Sequence, residues 1–242
     1  MKFSILTLFP DIIDNYLKQS IMKRALEKNQ VEVEIVDIRD FANSPQKQVD
    51  DYQYGGGKGM VLMIEPLVKA IRSVETKNCL KILLTPQGET WNQKKARQIS
   101  EKQDHIILIA GHYEGFDERI LHYIDVEISI GDFIITGGEL AALVLVDSLV
   151  RITPGVIEAA SHELESFEND LLDFPVYTKP LNFENHLVPE VLTSGHHKNI
   201  QNYREEQALL KTLNKRPDII IEKNLSNYQK LIYQEKKLKG DK

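Results

Sequence analysis

Between Ala110 and Ala142 the chain reads AGHYEGFDERILHYIDVEISIGDFIITGGELAA, and three short apolar runs in and beside this stretch each end in a glycine turn. HIILIA (His105 to Ala110) runs into Gly111-His112-Tyr113-Glu114-Gly115. DVEISI (residues 125–130) runs into Gly131-Asp132, and FIIT (residues 133–136) into Gly137-Gly138-Glu139. Apolar runs of this length bounded by glycine predict buried parallel strands whose C-terminal turns share one sheet edge. Open α/β sheets bind ligands at that edge. Glycine lets a ligand come close to main-chain N–H and C=O groups, so the three turns predict a pocket walled largely by backbone. Such a pocket suits an adenine and a ribose. Ordinary structural turns use the same residues, and spacing alone leaves that alternative open.

The rest of the chain alternates strand and helix, the α/β pattern. Residues 2–8 (KFSILTL) read as a buried first strand, and residues 10–26 as a helix or helix pair. VEVEIVDIR (residues 31–39) alternates apolar and acidic positions, as a strand with one wet face does. A helix is expected over 64–75, with Pro66 in its first turn, then a strand at LKILLT (residues 80–85) and a polar helix over 91–101. Trp91 before that helix reads as a packing residue rather than a base-stacking one. A short helix is expected over 117–124. The helix over 137–151 is apolar around more than one face, so it is buried in the core or against a second subunit.

Residues 156–175 carry six acids (Glu158, Glu163, Glu165, Glu168, Asp170 and Asp173) and no lysine or arginine, and they show no clean period. This predicts an interdomain linker. From Lys198 the chain reads as helical, with Ile200, Tyr203, Gln207 and Leu210 on one face, and a second helix is expected over 225–238. The expected organisation is therefore an α/β domain over 1–157, an acidic linker over 158–172 and a small, mainly helical domain over 173–242.

No apolar run approaches the ~18 residues of a membrane span. The start, MKFSILTLFPDII, reads as a strand rather than a signal peptide, so a cytoplasmic protein is expected. One cysteine, Cys79, excludes an internal disulfide and a cysteine metal cluster. The net charge of −6 argues mildly against nucleic acid, but charge is unevenly spread. Residues 176–242 hold 12 Lys and Arg against 8 Asp and Glu, leaving 18 against 28 in residues 1–175. Phosphate contacts are expected at the basic end. Tyr54-Gly55-Gly56-Gly57-Lys58-Gly59 resembles a phosphate loop only superficially: Lys58 is followed by glycine, where the triphosphatase pattern needs Ser or Thr to hold magnesium.

The order of residues in GHYEGFDER and SIGDFIITGGELAA resembles the tRNA (guanine-N1)-methyltransferase family, a branch of the knotted SPOUT methyltransferases. YGGGKGMV, LTPQG, RITPGV, LLDFPVYTKP and VPEVLTSGHH extend the resemblance, in order, over nearly the whole chain. It implies a parallel sheet with a deep trefoil knot, a rare device in proteins, and a homodimer with a shared active site. It also implies methyl transfer from S-adenosylmethionine to N1 of the guanosine 3′ of a tRNA anticodon, with Mg2+ as a further requirement for turnover. The donor would lie against Leu84, Thr85, Pro86, Gly111, Glu114, Gly115, Ile130, Gly131, Phe133, Ile135, Gly137 and Gly138, mostly through backbone. Phe133 replaces the family's frequent tyrosine.

Guanine N1 carries a proton at neutral pH, and losing it pushes charge onto O6. The reaction therefore needs a base near N1 and a donor or cation near O6. The resemblance places Arg151 at O6 or a neighbouring phosphate. It places the base at an Asp-Ser-Phe triplet, which reads Glu165-Ser166-Phe167 here in a linker one residue shorter than usual. Glu165 is the expected base, with Glu163 and Asp170 as alternatives. Glu114 matches a family acid near the target base, and a plain turn carboxylate is its structural alternative. His112 stands where many relatives carry arginine. Gly57 and Lys58, the latter replacing a usual proline, would border the donor and RNA site. Asp173 matches a position with an RNA- or metal-related role, and Ser194, His197, Tyr203 and Arg204 are the expected RNA contacts of the C-terminal domain. The adjacent pair His196-His197 is poorly placed for one metal, and no metal ligand set is expected. Two alternatives stay open: a SPOUT methyltransferase with another RNA target, and a non-catalytic RNA-binding relative.

Overall fold

The computed structural model describes residues 1–157, 165–167 and 169–240. They divide into two compact units, residues 1–157 and the described residues from 165 onward. Glu158, Glu163 and Glu168 lie outside the described residues.

The first unit runs β1 (Lys2–Thr7), α1 (Pro10–Leu17), α2 (Ser20–Glu27), β2 (Glu32–Asp37), β3 (Asp50–Tyr52), β4 (Met60–Leu62), α3 (Ile64–Val74), β5 (Cys79–Thr90), α4 (Gln93–Lys102), β6 (His105–Ala110), β7 (Val126–Ser129) and α5 (Glu139–Ile152). Five strands form one sheet in the order β2-β1-β6-β5-β7, and every pair in it is parallel. Parallel strands need both faces covered, and the pattern of β1 and β6 supplies two apolar faces. Phe3, Ile5, Ile106 and Leu108 face a core built with α1, α2 and α5. Leu6, Ile107 and Ile109 face the opposite side, where α3 buries Leu67, Val68, Ile71 and Val74 at helical spacing. Asn92 caps α4 by accepting a hydrogen bond from the Lys95 N–H at 2.9 Å. Trp91 Nε1 donates to Ser148 Oγ at 2.9 Å, which makes it the packing residue expected.

β5 runs past its expected end. Leu84 and Glu89 both stand opposite Ile128, so residues 85–88 leave the ladder and return to it. Gly88 permits this: a Cβ there would lie 2.4 Å from the Glu127 carbonyl carbon and the Ile128 nitrogen. Two expectations fail locally. Residues 133–136 form no strand, because Phe133 and Ile134 are exposed and the Phe133 N–H turns back to the Gly131 carbonyl at 2.9 Å. The expected helix over 117–124 is a 3-10 turn, Glu118–Tyr123, opened by the Asp117 carboxylate accepting from the Arg119 N–H at 3.0 Å.

In the second unit α6 (His197–Lys215) and α7 (Asn227–Gly240) close over Leu171, Leu209 and Leu225. A two-residue hairpin turn joins β8 (Asn182–Phe183) to β9 (His186–Leu187). The buried face of α6 is Ala208, Leu209 and Thr212, whereas Ile200, Tyr203, Gln207 and Leu210 are half-buried. Leu171, within the stretch expected as linker, belongs to this core. Among the described residues no helix is long and apolar enough to cross a membrane.

Candidate functional site

A cavity of about 620 Å³ opens at the C-terminal ends of β5, β6 and β7. Its walls are the β5 excursion, the turn after β6 and the long turn between β7 and α5. All twelve residues expected around a donor line it: Leu84, Thr85 and Pro86 from the first wall, Gly111, Glu114 and Gly115 from the second, and Ile130, Gly131, Phe133, Ile135, Gly137 and Gly138 from the third.

Backbone crowding makes this possible. The Gly138 N–H donates to the Gly111 carbonyl at 2.7 Å. A Cβ on Gly138 would lie 2.7 Å from the Gly111 nitrogen and 2.8 Å from the Ala110 Cα, so only glycine lets the two turns meet. The turn after β6 is pinned from the other side by β4, where the Glu114 N–H donates to the Met60 carbonyl and the Leu62 N–H to the Gly115 carbonyl, both at 3.0 Å. Tyr113 sits at φ +61 in a turn closed by the Gly115 N–H on the His112 carbonyl at 3.3 Å, a conformation that is uncommon for a residue with a side chain.

One residue of this site escaped sequence reading. Glu139, the first residue of α5, is 2% exposed. Its Oε1 accepts from the Thr7 hydroxyl at 2.6 Å, and its Oε2 lies 3.1 Å from His112 Nε2. The Thr7 oxygen in turn accepts from the Phe9 N–H at 2.9 Å, and the Phe9 ring packs 4.6 Å from the His112 ring. A buried carboxylate is tolerated only when its oxygens are satisfied. Here the helix N-terminus, a hydroxyl and an imidazole do so.

Of the other expected residues in the first unit, Gly57, Lys58 and Arg151 do not line the cavity. Gly57 and Lys58 are exposed in the glycine loop before β4; Gln53 and Glu114, which do line the cavity, border that loop at Gly57 and Gly59. Arg151 is in the last turn of α5, whose N-terminus adjoins the cavity. At 1.5 Å per residue its backbone stands roughly 18 Å along the helix from Glu139. In the second unit, Ser194 Oγ donates to the Val191 carbonyl at 2.8 Å, and His197 opens α6. Burial and a hydrogen bond with the Tyr177 hydroxyl raise the pKa of Tyr203. Arg204 stacks 4.8 Å over the Phe174 ring, and its Nε is buried without a hydrogen-bond partner among the described residues. Asp173 pairs with Lys211, and Asp170 accepts from Asn224 Nδ2 at 2.6 Å. Among the described residues no group of three His, Cys, Asp or Glu is placed to hold a metal.

A sheet of parallel strands with a backbone-walled cavity at its C-terminal edge is the architecture of a nucleotide- or cofactor-binding α/β protein. Residues 1–222 match the family model described as tRNA (Guanine-1)-methyltransferase TrmD. A tRNA (guanine-N(1)-)-methyltransferase of Mycoplasma mycoides subsp. mycoides is 59% identical over 241 residues, covering 100% of both chains. Proteins of the same name from Ureaplasma urealyticum serovar 10 and Spiroplasma kunkelii are 54% and 51% identical, covering 90% and 100% of this chain and 96% and 90% of their own. The chain belongs to the tRNA (guanine-N1)-methyltransferase family, a family of enzymes.

Proposed function

We propose that the chain transfers a methyl group from S-adenosylmethionine to N1 of the guanosine 3′ of a tRNA anticodon, giving 1-methylguanosine. The observation that carries this reading is the backbone-walled cavity, in a chain that the family model matches over residues 1–222. Ligand pockets of this kind fall between roughly 300 and 1,000 Å³. Main-chain groups at Gly111, Gly131 and Gly137, with apolar flanks at Leu84, Ile130 and Ile135, suit a purine and its ribose. S-adenosylmethionine, when bound, supplies a methyl group already activated on a cationic sulfur.

The residues then have to prepare the nucleophile. Glu165 removes the N1 proton as general base. Arg151 stabilises the charge that reaches O6. Glu114, on the cavity wall, accepts a hydrogen bond from the guanine amino group. Its position holds the base in line with the methyl carbon. Arg151 is not among the residues that line the cavity of its own chain, so we assign the arginine to a second copy and the enzyme to a homodimer with shared sites. Leu140 and Val144, which are 55% and 45% exposed on successive turns of α5, support that assembly. To this chain we also extend the SPOUT trefoil knot of the family, a cytoplasmic location, and RNA contacts at Gly57, Lys58, Ser194, His197, Tyr203 and Arg204.

The test is transfer of labelled methyl to a tRNA transcript with guanosine 3′ of the anticodon, beside a matched transcript with adenosine there, with and without Mg2+. Label recovered as 1-methylguanosine from the first transcript alone is expected. Glu165→Gln should keep donor binding and lose at least about 100-fold in rate. Label in another nucleoside, or none with donor bound, would sink the reading.

A further inference from the structure

The loop that carries Glu165 is tied to α6 by hydrogen bonds centred on Asp173. Asp173 Oδ1 accepts from Ser166 Oγ at 2.9 Å and from Lys211 Nζ at 3.1 Å. The Asp173 N–H donates to Ser166 Oγ at 3.1 Å, and its carbonyl accepts from Lys211 Nζ at 2.9 Å. Ser166 and Lys211 thus each meet Asp173 twice. The loop also closes on itself, with the Phe167 N–H donating to the Leu171 carbonyl at 2.7 Å. The Leu172 N–H donates at 2.9 Å to Thr212 Oγ1, a fully buried hydroxyl. Phe167 and Asp170 hold φ of +75° and +56°. Side chains adopt such angles only where the surroundings over-determine the backbone.

Two consequences follow from this arrangement. The Lys211 ammonium and the Asp173 carboxylate are engaged with each other inside the chain. Ser166, the residue they hold, is the direct neighbour of Glu165, so its Cα is about 3.8 Å from that of the base. We propose that Asp173 and Lys211 are positioning residues: through Ser166 they hold the Glu165 backbone where its carboxylate takes the N1 proton. The proposal rests on Glu165 being the base. It gives Asp173 work within the protein, where the family resemblance offers RNA or a metal. A base is effective only within a narrow range of positions, and a shift of roughly 1 Å can cost about 100-fold in rate.

The experiment uses the full chain with the guanosine transcript, and compares Lys211→Met, Lys211→Arg, Ser166→Ala, Glu165→Gln and the parent. Single-turnover transfer is measured at saturating donor and tRNA, and tRNA affinity separately by filter binding. Lys211→Met and Ser166→Ala should slow transfer by about 10- to 100-fold while tRNA affinity stays within about twofold. Lys211→Arg should recover part of the rate, because it keeps the charge although its planar head cannot repeat both Lys211 hydrogen bonds. A melting curve identifies any variant that fails to fold. Ser166→Ala leaves the Lys211–Asp173 pair intact, and decides the matter if Lys211→Met is unstable. A parental rate at saturation with weakened tRNA affinity would make Lys211 an RNA contact and overturn the proposal. So would parental rates in both variants. A parent that forms no 1-methylguanosine removes the underlying reading and the proposal with it. A fully active Glu165→Gln removes the proposal and leaves the reaction standing.

Discussion

Glu139 is a carboxylate in a place where an unpartnered one would be expensive. Both of its oxygens have partners, the Thr7 hydroxyl at 2.6 Å and His112 Nε2 at 3.1 Å. Glu139→Ala removes the acceptor and leaves a buried hydroxyl and a half-buried imidazole facing each other across a void. Each orphaned group costs about 1–3 kcal/mol, so the loss should reach roughly 3 kcal/mol in urea unfolding, with Glu139→Gln losing less. A loss under about 0.5 kcal/mol would mean that water replaces the carboxylate without penalty. In the sequence this residue is only an acid opening a helix, a position usually exposed. What buries it is Thr7, 132 residues away along the chain, and no local pattern records that distance. The glycines around it were legible for the opposite reason. Their meaning lies in the turns they make, and three apolar runs announce those turns.

At the scale of elements, α5 serves two surroundings. Ala142, Leu145, Val146 and Leu149 are completely buried in the sheet's core, while Leu140 and Val144 face outward beside the exposed side of α1, where the Tyr16 hydroxyl donates to the Asp147 carboxylate. That hydrogen bond pushes the Tyr16 pKa up to about 12. The apolar circumference was readable from the order of residues along the helix, which left open whether the core or a second subunit covers it. Val144→Asp should convert a dimer to monomers by light scattering and abolish methyl transfer. A parent that scatters as a monomer, or an active monomeric variant, would end the case for shared sites. Residues 133–136 misled for a related reason: Phe133-Ile134-Ile135-Thr136 has a strand's composition, but with no neighbouring strand to pair, its apolar side chains line the cavity instead. The β5 excursion was equally hidden, because Pro86 and Gly88 mark a turn and say nothing about the strand resuming beyond it.

For the molecule as a whole, His105 contributes to the loss of stability as pH falls below neutrality. This residue is 6% exposed, with Ser4 Oγ 3.0 Å from Nε2 and Thr76 Oγ1 2.9 Å from Nδ1. Burial holds the imidazole below its usual pKa; Lys2 adds to the effect, and Glu34 and Glu32 oppose it. The unfolded chain then takes up its proton as pH falls through about 6.5, before the folded chain does. Stability is therefore full above that pH and declines as pH falls toward the folded value. The urea midpoint should drop between about pH 7.5 and pH 5.5, and His105→Gln should flatten the drop. An equal slope in the variant would assign it to other groups. HIILIA announced a buried strand, but not the Ser4 and Thr76 hydroxyls that meet its histidine from elsewhere in the chain.

The described core of the second unit is small: Leu171, Leu209 and Leu225, with partly buried neighbours such as Leu213 and Tyr233. One of its three buried leucines belongs to the loop that presents Glu165. The loop therefore cannot swing free without opening the core of its own unit. With Glu165 as the proposed base, warmth enough to loosen those three leucines would silence proton removal even where the five-stranded sheet still stands. Such a protein would stop working at a temperature set by its lesser part, and cooling would restart it.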